Sequence, residues 1–246
     1  MVTEFSHEQY AQAYPDGIES HWWNRARSWV ILRLLRRYCA ASVVVVEVGC
    51  GRGVEVRSLR DAGVAAHGVE LAPVQALSCV AEFVFTNTDA CTLEKSIRES
   101  ATVLMLLDVL EHLPHPEQFL QQLLEHYPKV TRVIVTVPAR QELWSNYDEY
   151  YGHHRRYSLN ALDELGRNAL LEPLATGYFF QWVYLPARIL NVLRCKRAVK
   201  IVPPGARTRW LHSFVAKVCQ LEHVVLPSGL PGTSAFGVFA RQKKTD

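Results

Sequence analysis

SVVVVEVGCGRG, residues 42–53, is the stretch whose reading decides the fold. Val43 to Val46, Glu47 and Val48 form an apolar run without alternation, the pattern of a parallel strand buried on both faces. The run then breaks into Gly49, Gly51 and Gly53, one at every second position. With no Cβ, the backbone there can turn tightly and lie close against a ligand. A helical pattern follows from Val54 to Leu59. Strand, glycine turn and helix N-terminus make a nucleotide cradle, with backbone amides and the positive end of the helix dipole expected to face the ligand.

Two acids narrow the choice of nucleotide. Glu47 closes the strand before the first glycine, and Glu70 ends the next apolar run, Val64–Val69, where an acid can take ribose hydroxyls. Dinucleotide folds share the second acid, but their fingerprint is G-x-G-x-x-G and Val54 stands where its third glycine belongs. A glutamate beside the cradle would repel a pyrophosphate. It suits a cofactor carrying an ammonium and a sulfonium. The E-x-G-x-G-x-G of Glu47–Gly53, followed by Glu70, resembles motif I and the second-strand acid of class I S-adenosylmethionine-dependent methyltransferases. That resemblance implies an α/β fold, a Rossmann-like seven-stranded and mostly parallel sheet with helices on both faces. It implies S-adenosylmethionine as cofactor, with contacts from Glu47, Gly49, Cys50, Gly51, Glu70 and Leu71.

Composition sets the outer bounds. With 246 residues, 49% of them hydrophobic, the chain can bury a full core, and a net charge of +3 does not point to nucleic acid. The six cysteines form no C-x-x-C pair, which favours reduced thiols in a cytoplasmic protein over disulfides or zinc. The start, MVTEFSHEQY, lacks a signal-peptide core, and no apolar run reaches the length of a membrane span.

Ahead of the first strand, residues 1–41 read as cap helices. SHWWNRARSWVILRLLRRY is amphipathic, with Ala26, Trp29, Val30, Ile31 and Leu34 on one side and Arg25, Arg33, Arg36 and Arg37 largely elsewhere. This helix packs on the sheet or covers the cofactor, and in the second case Trp23, Arg25 or Arg27 would reach the ligands. Beyond Glu70, Pro73–Val80 suits a helix and EFVFTNTDA a third strand. Its Asp89 either takes the adenine amino group beside Ala90, as the resemblance implies, or caps the next helix. Thr102–Leu107 is the fourth buried strand. Leu107, Asp108, Glu111 and His112 leave its C-terminal end, where ligands of open parallel sheets sit. This segment resembles motif IV of small-molecule methyltransferases and lacks the Asn/Asp-Pro-Pro-aromatic signature of nucleobase enzymes, which argues against nucleic acid as substrate. Asp108-x-x-Glu111-His112 nearly matches a metal site of ubiquinone O-methyltransferases. We take no metal as the working expectation and keep open a Mg²⁺ site, His112 as general base, and simple helix-start packing.

Pro116–Tyr127 then reads as a helix and Arg132–Pro138 as the fifth strand. Trp144 to Tyr157 follows, a loop without helical periodicity that concentrates aromatics, imidazoles and guanidiniums. The pattern W-S-x-x-D-x-x-x-G-H-x-R-R-Y resembles a bacterial methyltransferase subfamily of glycan, lipid or secondary-metabolite assembly, where it lies over the active site. On that reading His153 or His154 joins His112 as candidate base with Tyr157 behind them, and Trp144, Arg155 and Arg156 bind the acceptor. The alternative is an internally bonded loop in which Asp148 pairs with Arg155 or Arg156. Ser158 caps a helix over Leu159–Ala169.

No acid occurs from Pro173 to Leu221, while arginines and lysines interleave with apolar side chains there. Pro203-Pro204-Gly205 splits that segment into two helices, and Ser234–Arg241 alternates as a last strand. The core therefore spans 42–181 and 232–246, with a basic helical insertion over 182–231. That insertion is a membrane contact through 182–221, a cover for a lipid-like substrate, a homodimer face or a solvated lid. The function expected is S-adenosylmethionine-dependent methylation of a small-molecule acceptor, anionic or lipid-like, at oxygen or nitrogen. The alternatives are a non-catalytic cofactor-binding module and a Rossmann enzyme of nucleotide-sugar or NAD type.

Overall fold

A computed structural model of the chain describes residues 6–242. Two helices, α1 (His7–Ala13) and α2 (Trp22–Tyr38), precede β1 (Val44–Val48). The chain continues through α3 (Val54–Asp61), β2 (Ala65–Val69), β3 (Val84–Phe85), α4 (Lys95–Ser100), β4 (Val103–Leu107), α5 (Pro116–His126) and β5 (Arg132–Pro138). It closes with α6 (Asn146–Tyr150), α7 (Leu159–Asn168), β6 (Leu171–Phe179), α8 (Gln181–Val192), α9 (Arg209–Val225) and β7 (Ser234–Arg241).

The seven strands form one sheet in the order β3-β2-β1-β4-β5-β7-β6. β1 to β5 are parallel, and β7 runs antiparallel between β5 and β6. Successive residues of each strand point to opposite faces, so the unbroken apolar runs feed two cores. Val46, Leu104, Leu106 and Val135 pack with α5 and α7, while Val45, Val103, Met105 and Ile134 pack with α2, α3 and α9. Strand order reverses between β1 and β4, which opens a crevice beyond their C-terminal ends. α2 buries Ala26, Val30, Ile31 and Leu34 and leaves Arg25, Arg33, Arg36 and Arg37 exposed, with Arg36 and Arg37 beside its negative C-terminal dipole.

Three expectations need correction. Pro73–Val80 is not a helix: Leu77 donates its amide to the Arg52 carbonyl at 2.9 Å and the Arg52 guanidinium donates to the Gln75 carbonyl at 3.1 Å, which hold the segment extended along the glycine turn. Only a 3₁₀ turn, Ser78–Phe83, follows. The third strand keeps only Val84–Phe85, because beyond it Asn87 donates to the Ala72 carbonyl and Thr88 to that of Glu70. The Trp144–Tyr157 segment also contains a helical turn, α6, started by a capping box in which Ser145 and Asp148 bond reciprocally.

Candidate active site

The glycine turn connects β1 to α3 with Gly49 at φ +75° and Gly51 at φ +53°, where a Cβ on either would lie within 2.7 Å of Val109 or Tyr14. Four of its amides, expected to face a ligand, are bonded within the chain. Gly49 and Cys50 both donate to the Val69 carbonyl, at 2.9 and 3.2 Å, Gly53 donates to that of Cys50, and Gly51 donates to Glu70 Oε2 at 2.8 Å. Glu47 accepts from the Val56 amide, so a carboxylate already serves the N-terminus of α3. The acid is buried and its Oε2 has no partner. Burial, and then the neighbouring Glu55, pushes its carboxyl well above the usual carboxylate range. A pyrophosphate arriving here would meet buried acids and find the Gly49, Cys50, Gly51 and Gly53 amides already bonded, which speaks against the dinucleotide reading. A cation fits, because it would ionise Glu47 and give it the partner it lacks.

Arg27 gathers the acids around this cradle. It is buried, forms an ion pair with Asp108, and stacks on the Trp23 ring at 4.4 Å from the centroid. Burial alone would lower its pKa, but the charges of Asp108 and Glu55 raise it. Asp108 sits at the C-terminal end of β4 with φ +57°, a conformation uncommon outside glycine, and its amide donates to the Thr136 carbonyl. Leu107 before it is buried. Arg25 lies exposed on the same helix, so Arg27 is the arginine that α2 turns toward the crevice.

Glu70, at the end of β2, is also buried. Besides the Gly51 amide, it accepts from the Ala72 amide at 2.9 Å and from the Tyr10 hydroxyl at 2.7 Å. Tyr10 stacks on Tyr14, whose ring covers Gly51, so α1 closes over the turn. The sequence reading did not single out these tyrosines; the only signal is their i, i+4 spacing in an otherwise polar start. Leu71 follows Glu70, half-buried. Asp89 accepts from the Cys91 amide at 2.8 Å and caps the 3₁₀ turn Ala90–Thr92, and the carbonyl of buried Ala90 accepts from the Tyr127 hydroxyl.

A second polar cluster lies past β4. Asp148 is fully buried and accepts from Arg156 Nε at 2.7 Å and Nη2 at 3.0 Å, from the Ser145 amide, and from His153 Nδ1 at 2.9 Å. Burial works against its charge, but these bonds from His153 and Arg156 win and hold the carboxyl down at about 2. The His153 ring lies 4.7 Å from that of His112. Burial, and then His153, depress His112 to about 3, leaving a neutral imidazole. Glu111 is buried beneath them, raised by desolvation and by Asp108, with Oε2 unpartnered. Ligand atoms of Glu111, His112 and His153 come within 4.8 Å of one another, a spacing that could converge on one cation. Asp108, the third member expected from sequence, is turned to Arg27 instead.

The remaining loop residues point elsewhere. Arg156 is buried on Asp148 and the Ala139 carbonyl, and Arg155 donates to the Pro114 carbonyl at 2.9 Å. Tyr157 is buried and donates to the Leu110 carbonyl, Trp144 is half-buried, and His154 is exposed. The loop is thus bonded internally through Asp148 and Arg156 and still brings His153 against His112.

Residues 21–175, more than half of the chain, match the methyltransferase domain family. No curated protein is significantly similar in sequence. Among solved structures, a SAM-dependent methyltransferase of Archaeoglobus fulgidus aligns with a TM-score of 0.50 at 18% identity, over 89% of this chain and 94% of its own. Phosphoethanolamine N-methyltransferase 2 of Haemonchus contortus, bound to S-adenosyl-L-methionine, aligns at 0.56 with 16% identity, over 98% of this chain and 58% of its own. A magnesium protoporphyrin IX methyltransferase of Synechocystis with bound SAH aligns at 0.53 with 12% identity, over 96% and 94%. With a doubly wound sheet, an acid-lined glycine turn at its switch point and this family match, the chain belongs to the methyltransferase domain family and is an S-adenosylmethionine-dependent methyltransferase.

Proposed function

We propose that the acceptor is a small molecule methylated at oxygen or nitrogen, with His153 as the group that takes its proton. The observation that carries this reading is the buried Asp148 bonded to His153 Nδ1 at 2.9 Å, beside His112 and the end of β4. In a neutral imidazole, an Nδ1–H donated to Asp148 leaves Nε2 as the proton acceptor. Arg156 keeps Asp148 ionised, and the carboxylate fixes the orientation of the His153 ring. His112, at about 3, is too weak a base for this task near neutral pH and serves as a hydrogen-bond acceptor for the substrate.

The residues that would hold the cofactor are Glu70 at its ribose, Asp89 with Ala90 at its adenine, and the acids Glu47 and Asp108 toward its cationic end. When bound, the cofactor supplies a methyl group already activated on a sulfonium. The chain's own part is then to position the acceptor, exclude water and remove one proton. Arg156 is occupied by Asp148, so of the two loop arginines only half-buried Arg155 remains to meet an anionic acceptor; this favours a weakly charged or lipid-like one.

Cell extract incubated with deuteriomethyl cofactor, analysed by mass spectrometry for labelled small molecules, tests the acceptor class. Label found only on protein or nucleic acid would defeat it. With the acceptor in hand, His153→Ala should lower kcat by about 10²-fold or more and leave S-adenosylhomocysteine affinity unchanged. An unaltered kcat would remove His153 from the role.

A further inference from the structure

Helix α8 is built inside out. Its polar side chains face the protein: Tyr184 donates to Glu142 Oε1 at 2.9 Å, and Asn191 and Arg188 donate to the Glu142 carbonyl at 2.7 and 3.4 Å. The opposite stripe, Trp182, Leu185, Ile189 and the C-cap Leu193, faces outward, with exposures of 64, 63, 50 and 66%. No residue of α8 is buried. α9, beside it, has an apolar inner face but also turns an apolar row outward. It buries Ala216 and Cys219 against α2 and the sheet, and turns out Trp210, Phe214, Leu221 and Val225, with exposures of 69, 60, 64 and 65%. Large apolar side chains lined up on two neighbouring helices are a surface awaiting a partner, since scattered ones need no explanation but rows of them do.

Charge says which partner. From Pro173 to Leu221 there is no acid, and Arg194, Lys196, Lys200, Arg207, Arg209 and Lys217 are all exposed. On the other flank of α9, His223 packs on Trp29 of α2, and exposed Arg33, Arg36 and Arg37 continue the basic rim. A second copy docking through the same patch would set these like charges against one another. An anionic lipid surface answers both features: apolar side chains and tryptophans enter the headgroup boundary while lysines and arginines meet its phosphates. No helix of the described residues is long and apolar enough to cross a membrane, so the stripes would lie along the surface.

The geometry points to α8 and α9 as a docking face for an anionic phospholipid membrane. This stands apart from the identity of the methyl acceptor. The test is flotation of the full chain with extruded vesicles of phosphatidylcholine alone or mixed equally with phosphatidylglycerol. The chain should float with the mixed vesicles, at least about tenfold more weakly with the neutral ones, and less as salt is raised. Leu185→Glu with Ile189→Glu should cut partition about tenfold or more and leave S-adenosylhomocysteine affinity by calorimetry unchanged, which shows an intact fold. Arg207→Glu with Arg209→Glu, outside the apolar stripe, should act in the same direction. Failure to float with mixed vesicles overturns the proposal, as does flotation that Leu185→Glu/Ile189→Glu leaves untouched. A dimer in light scattering that the same pair dissolves, without flotation, would assign the face to a second copy.

Discussion

The cradle around Arg27 and the helical pair α8 and α9 break the rule of apolar inside and polar outside in opposite directions. The cradle buries Glu47, Glu55, Glu70 and Arg27, whereas α8 buries nothing and exposes Trp182, Leu185 and Ile189. Burial of such groups is tolerated where partners hold them, as for Glu70, or where the acid is pushed toward its neutral form, as for Glu47 and Glu55, whereas rows of exposed apolar side chains mark a surface for a partner. Both departures are local: between them the sheet packs apolar side chains such as Val45, Val103, Met105 and Ile134, with Glu47 at the end of β1 as the charged exception.

Breaking the inward-polar side should produce the largest effects. Asp148→Ala leaves Arg156 buried without its carboxylate and should cost about 3–5 kcal/mol, read as a fall in Tm. Because Asp148 is held at about 2, below its usual 3.8, its contribution is present above pH 3.8 and lost as pH falls toward 2. An acid titration of the wild type should therefore show a loss in that window that Asp148→Ala lacks. Next, Glu70→Ala removes the acceptor of two buried amides, Gly51 and Ala72, and should weaken S-adenosylhomocysteine binding by about 2–4 kcal/mol in calorimetry. Glu47, Glu55 and Glu111 run the other way from Asp148. Their raised pKa values give stability at low pH that fades as pH climbs above the usual carboxylate range, and binding of a cationic cofactor should release protons, visible as a buffer-dependent calorimetric heat. A smaller effect sharpens the comparison: Tyr10→Phe deletes a hydroxyl that competes for Glu70 and should tighten S-adenosylhomocysteine binding by about 1 kcal/mol. Smallest of all, Leu185→Ser on the outward stripe should change stability by less than about 0.5 kcal/mol, whereas a buried leucine such as Leu106 would cost several.

Strands β5 and β7 were legible because buried parallel strands announce themselves as unbroken runs and the antiparallel last strand as an alternation: they occupy Arg132–Pro138 and Ser234–Arg241, the ranges their patterns predict. The helix expected at Pro73–Val80 was not, because its local propensity is overridden by bonds to Arg52, a helix and a strand earlier in the chain. In the site, the acids were readable from position alone, but what they do was not. Whether Arg25 or Arg27 reaches Asp108, 81 residues on, depends on which face of α2 meets the sheet. Whether Asp148 takes Arg155 or Arg156 depends on the single turn of α6. A capping box, S-x-x-D at Ser145–Asp148, was the available sign of that turn.

Helix α1 touches both ends of the crevice. Tyr10 bonds Glu70, the acid proposed to take the ribose, and Gln9 Nε2 donates to the carbonyl of Tyr150, on the segment that carries His153. On the proposed reading of Glu70, an arriving nucleoside has to displace the phenol, and a shift of Tyr10 is passed by the adjacent Gln9 to the segment that carries His153. The two substrates should therefore board in a set sequence, cofactor before acceptor, with the spent nucleoside departing last.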